Sequence, residues 1–124
     1  MWIVLNKSFL SIVKNRNNEN QLLVRARVNG DIEKVFPDAD IFEDKDADYK
    51  YRSYIDREVV ANAISEELLN INYDNFKSSV SKDDGIRGNA YMKVWMALNQ
   101  MQSWYILIHM SCIYLLKNNY NFIL

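Results

Sequence analysis

The sequence predicts an α+β domain. An N-terminal three-strand meander plus one or two later strands forms an antiparallel sheet, with helices packed on one face and a long C-terminal helix. Three observations carry this. Short β-branched and aromatic runs separated by polar turn residues crowd the first part of the chain. Extended helical periodicity of apolar residues begins only after Asp56. The 124 residues, 49% hydrophobic and 25% charged, suit one folded domain and argue against disorder.

Trp2 to Leu5 reads as a first strand, followed by turn chemistry at Asn6-Lys7-Ser8 and a second strand over Phe9 to Val13. The asparagine-rich stretch from Asn15 to Gln21 is a loop. Leu22 to Val28 gives a third strand, with Val24, Ala26 and Val28 on one face and Arg25 and Arg27 on the other. Asp31 suits the start of a short helix carrying Ile32, Val35 and Phe36, which Pro37 stops. Ile41 and Phe42 suggest a brief extended piece, and Asp44 to Asp48 an acidic loop. From Tyr49 to Ile55 a further strand is expected, with Tyr49, Tyr51 and Ile55 facing opposite to Lys50, Arg52 and Tyr54.

Asp56 is the expected N-cap of an amphipathic helix whose apolar face runs through Val60, Ala63, Ile64, Leu68 and Ile71. Asp74 is placed to cap a shorter turn bearing Phe76 and Val80. After a polar loop over residues 81–88, a long helix places Tyr91, Val94, Trp95, Leu98, Met101 and Tyr105 at three- and four-residue steps. The expected organisation is one domain over residues 1–102 and an apolar helical extension and tail over 103–124.

A formal net charge of -1 excludes a histone-like polycation and a heavily acidic nucleic-acid mimic. One cysteine and one histidine exclude a disulfide framework and a self-contained zinc site. The apolar start at Met1 has no basic region before it and no small-residue cleavage site after it, and the lone Cys112 suits a reducing compartment. A cytoplasmic protein is the expectation. The apolar run from Trp104 to Leu116 would span only about 20 Å as a helix, against roughly 30 Å of hydrocarbon. Its length argues against integral membrane insertion.

Several segments together carry a resemblance: Trp2 with Asn6, Phe9-Leu10-Ser11-Ile12-Val13, Leu22-Leu23-Val24-Arg25-Ala26-Arg27 and Gly30-Asp31-Ile32-Glu33. Val35-Phe36-Pro37, Asp48-Tyr49-Lys50-Tyr51-Arg52, the run from Tyr73 to Val80, and Tyr91-Met92-Lys93-Val94-Trp95 continue it. With these, residues 1 to about 102 resemble a family of short uncharacterised bacterial proteins. The resemblance implies a stand-alone bacterial domain of about this size and assigns no activity. Residues 103–124 depart from the pattern and read as a run-on reading frame, a hypothesis that normal coding usage through residue 124 would remove.

Two features point to binding. If their strands are neighbours, Arg25, Arg27, Lys50 and Arg52 line one sheet face with Tyr54, a strip able to hold phosphates and stack a base. The competing reading is an ordinary solvated face whose arginines pair with the acidic loop. The second feature is the last helix, apolar on nearly all sides between Trp104 and Leu116. Such a helix needs a cover. The expected interface comprises Trp95, Leu98, Met101, Trp104, Tyr105 and Ile108, meeting a protein partner or a second copy; burial inside the domain and a bilayer surface are the alternatives.

Weaker signals reduce to structural readings. Gly85-Ile86-Arg87-Gly88 resembles a phosphate-clamping loop, but Asp83 and Asp84 precede it, so a plain connector is favoured. Asp44, Asp46 and Asp48 begin like a calcium loop, but Tyr49 and Ile55 occupy its glycine and glutamate positions. His109 and Cys112 share a helix face within an apolar run, and burial is the better account. No catalytic, cofactor-binding or metal-binding residue is assigned. The leading expectation is therefore a non-enzymatic protein acting by protein–protein binding. The alternatives are an RNA or single-stranded nucleic-acid binder, and a mobile-element inhibitor of a host defence or nuclease complex.

Overall fold

The computed structural model describes the backbone of residues 1–119 and the side chains of residues 1–110. Its elements in chain order are β1 (Trp2–Val4), β2 (Phe9–Lys14), β3 (Gln21–Ala26), β4 (Phe42–Glu43), β5 (Tyr51–Asp56), α1 (Arg57–Leu69), α2 (Phe76–Ser79) and α3 (Gly85–Asn119). The five strands form one sheet in the order β1-β2-β3-β5-β4, with every neighbouring pair antiparallel. This is the expected α+β class: the meander is β1 to β3, and the later strands join at its open edge. The chain divides after Ser81 into two compact units, the second beginning at Lys82.

Register sorts the sheet into two chemically different faces, because directly opposed residues in antiparallel strands point the same way. Ile12 faces Val24, and Val24 faces Ser53. One residue along, Ser11 faces Arg25, Arg25 faces Arg52, and Arg52 faces Phe42. The first row belongs to the core face. Leu10, Ile12, Val24, Ala26 and Ile55 pack there with Ile32, Val35 and Phe36 from the turns after β3 and with Val60 of α1.

The segment over 31–36 is a run of turns rather than the expected helix, with Lys34 N–H bonded to Gly30 O at 3.2 Å and Phe36 N–H to Ile32 O at 2.8 Å. Helix nucleation is costly and pays off only over longer runs than this one, which Pro37 ends. Asp31 caps nothing. Its buried carboxylate accepts the Phe9 N–H at 2.9 Å, tying the start of β2 to the turn, and lies 3.4 Å from Lys34 Nζ. Gly30 adopts a φ of 84°, the left-handed region that a side chain disfavours, and turns the chain away from β3. Val28 is consequently exposed instead of continuing the core row.

The helix α1 packs against β3 and β5. Val60 is buried and Ala63 and Ile64 are partly so, but Leu68 and Leu69 are exposed, as is Ile71 beyond the helix end. Only the first half of the expected apolar face reaches the core. Asp56 holds the N-cap position without a side-chain cap bond; instead Arg57 N–H bonds Asn20 O at 2.9 Å, and Arg57 Nε donates to the Glu19 carbonyl. The short α2 is capped by Asn75, whose Oδ1 accepts the Lys77 N–H at 2.9 Å, rather than by Asp74.

Candidate interaction surfaces

The second face of the sheet brings the expected cations together and then engages them. Arg25 and Arg52 stand directly opposite each other in the β3–β5 register. Arg25 Nη2 donates to Ser11 Oγ at 2.8 Å, and Arg52 Nε donates to the Tyr49 carbonyl at 2.9 Å. Arg27 Nη1 donates to the Asp48 carbonyl at 2.8 Å, with Nη2 3.6 Å from the Asp48 carboxylate. Arg52 lies 3.8 Å from Asp44, and Lys50 lies 3.3 Å from Glu43. Tyr54 is exposed and stacks on Phe42 with centroids 5.5 Å apart.

Tyr49 is the centre of this arrangement, and strand alternation misplaces it. It precedes β5 and lies over the polar face, not with Tyr51 and Ile55. The Arg25 and Arg27 guanidinium carbons lie 4.7 and 4.3 Å from its ring centroid, and the Phe9 ring lies 6.5 Å away. The residue is 4% exposed. Surface ion pairs such as Arg27–Asp48 contribute about 0–1 kcal/mol. Burying an aromatic ring contributes roughly 1.5–3 kcal/mol, with about 0.5–2 kcal/mol more for a stacked cation. The ring, more than the ion pairs, therefore holds the acidic loop on the sheet. An incoming phosphate would have to compete with carboxylates already in place.

Gly85-Ile86-Arg87-Gly88 is the first turn of α3, not a loop. The Asp84 carboxylate accepts the Arg87 N–H at 3.0 Å and the Arg87 Nε at 2.7 Å, so the helix start is closed by its own acid. Among the described residues no group of three or more acidic, histidine or cysteine side chains is arranged to hold a metal ion. The Cys112 side chain lies outside the described residues, as does the tail from residue 120.

Sequence reasoning missed a groove of about 690 Å³ between the 35–40 turn, the end of β5 and the first turns of α1. Phe36, Ile55 and Ala63 contribute apolar lining, and Asp38, Asp40, Asp56 and Glu66 contribute carboxylates. The only advance signal was the net charge of -6 over residues 31–48, which does not say where those acids converge.

The helix α3 carries many exposed apolar side chains. Trp95, Leu98, Met101, Trp104, Tyr105 and Ile108 are all exposed, with Trp104 at 66% and Tyr105 and Ile108 at 61%. Met96, Ile106, Leu107 and Met110 are exposed as well. The helix continues without a break through residue 103, where the sequence predicts the domain to have ended. No helix among the described residues is long and apolar enough to cross a membrane. No family model, curated protein or solved structure matches the chain.

Proposed function

We propose that this chain is a non-enzymatic bacterial protein that acts in the cytoplasm by protein–protein binding, using α3 as its contact element. The observation that carries the reading is the series of exposed apolar side chains that recurs along α3 from Trp95 to Met110, interrupted only by Asn99, Gln100, Gln102, Ser103 and His109. Isolated surface apolar residues need no explanation, but a contiguous patch of this kind marks an interaction surface. Cysteine usage supports the reducing compartment. The nucleic-acid reading through Arg25, Arg27, Lys50, Arg52 and Tyr54 is weaker, because the four cations already engage Ser11, Tyr49, Glu43 and the acidic loop.

The test is capture of partners by the tagged full chain, with and without nuclease, beside a variant carrying Leu98→Glu and Ile108→Glu. Proteins that survive nuclease and are lost with the variant support the reading, whether they belong to a host defence complex or elsewhere. Material lost with the nucleic acid would promote the basic face instead. A set of proteins unchanged by the variant would sink the assignment to α3.

A further inference from the structure

We infer that the occupant of the α3 face is a second copy of the same chain, joined through a left-handed coiled-coil seam; the inference rests on the α3 binding reading. An α-helix has 3.6 residues per turn, so a row of alternating three- and four-residue steps stays close to one line along it. One such row from Tyr91 runs through Trp95 and Leu98 to Gln102, then through Tyr105 to His109, and is interrupted twice by polar groups. The neighbouring row, whose first step is three residues, is apolar throughout. It visits Tyr91, Val94, Leu98, Met101, Tyr105 and Ile108 without a polar residue, and the same steps along the helical backbone reach Cys112 and Leu115. A repeat of 3.5 keeps one seam facing a partner helix only when two helices supercoil left-handedly.

The continuity of α3 matters here. A break anywhere between Gly85 and Asn119 would reset the phase, and the structure has none. Trp95 and Trp104 flank the seam on either side, where charged residues would otherwise select a different partner. The only full charges on α3 among residues 85–110 are Arg87, held by Asp84, and Lys93, off the seam. Two identical copies therefore meet without like charges in the contact, and a two-fold axis pairs each seam with itself.

The area is adequate. A stable interface buries on the order of 800 Å² on each partner. Given their exposures, Trp95, Trp104 and Tyr105 alone have on the order of 300–400 Å² to bury. Val94, Leu98, Met101 and Ile108, all about half exposed, supply much of the remainder.

Sedimentation equilibrium of the full chain is the test, with Leu98→Glu and Ile108→Glu on the seam and Gln100→Glu off it. The expected result is a defined mass of two or more 14.7 kDa chains. Each seam substitution should weaken association at least about 100-fold, since it removes a buried aliphatic side chain from both copies, while Gln100→Glu leaves it within about threefold. A monomer at 100-fold above the micromolar range would overturn the inference. So would aggregates of undefined mass, or equal effects on and off the seam. A monomer that co-sediments with vesicles of anionic lipid assigns the face to a bilayer surface and also overturns it. A monomer that still captures a protein through Leu98 and Ile108 overturns only the identity of the occupant, and one that captures nothing removes the binding reading as well.

Discussion

Tyr49 holds together more of the polar sheet face than any ion pair around it. Arg25 and Arg27 lie against its ring, Arg52 bonds its carbonyl, and Asp48 Oδ1 accepts its N–H at 2.8 Å. Tyr49→Ala should cost about 3–5 kcal/mol in urea unfolding, as truncation of a buried aromatic does, and should release the acidic loop. Asp31 is the corresponding anchor near the start of β2. Asp31→Ala should cost about 1–3 kcal/mol and speed hydrogen exchange at the Phe9 amide, because that donor loses its acceptor. Ser53 gives the opposite expectation. Its buried Oγ has no hydrogen-bond partner, so Ser53→Ala should be neutral or stabilise by up to about 1 kcal/mol in the same assay. Burial with Tyr49 was not legible in advance. Alternation predicts a face only inside a strand, and β5 begins two residues later.

Among the elements, α1 separates into halves that amphipathic periodicity treats as one. Val60 is in the core, whereas Leu68 at 65% and Leu69 at 82% exposure are not. Leu68→Gln and Leu69→Gln should each change thermal stability by less than about 0.5 kcal/mol, while Leu10→Ala in β2 should cost about 2–5 kcal/mol. A larger loss at Leu68 would show that this end of the helix has a cover. The strands were legible because short β-branched and aromatic runs lie between polar turn residues; burial alternates only toward the end of β3, whereas Leu10, Ser11 and Ile12 of β2 are buried in succession. The turn over 31–36 was not. Its apolar spacing fits a helix equally well, and the core contacts of Ile32, Val35 and Phe36 do not require one.

For the whole molecule, the distribution of charge bears on the nucleic-acid reading. Residues 1–30 carry a net +4 and residues 31–48 a net -6, and the fold lays part of the acidic segment against the cations. Binding to single-stranded RNA should therefore be weak, without the steep fall with salt that several phosphate contacts produce. A fluorescence titration between 50 and 200 mM salt checks this, and a thousandfold loss across that range would restore the basic face as the site.

The sequence alone is enough for the fold class, the strands of the meander, the start of α1 and the apolar character of α3, because each follows from a local period or a local turn. It also located the cations and the exposed helix residues. Three features emerge only in the folded chain: Arg25 and Arg52 are opposed, the acidic loop folds back onto the cations, and Asp38, Asp40, Asp56 and Glu66 share a groove. Those outcomes depend on which strands pair and in what register. Register is set by the sum of many contacts distant in sequence, which no local pattern contains.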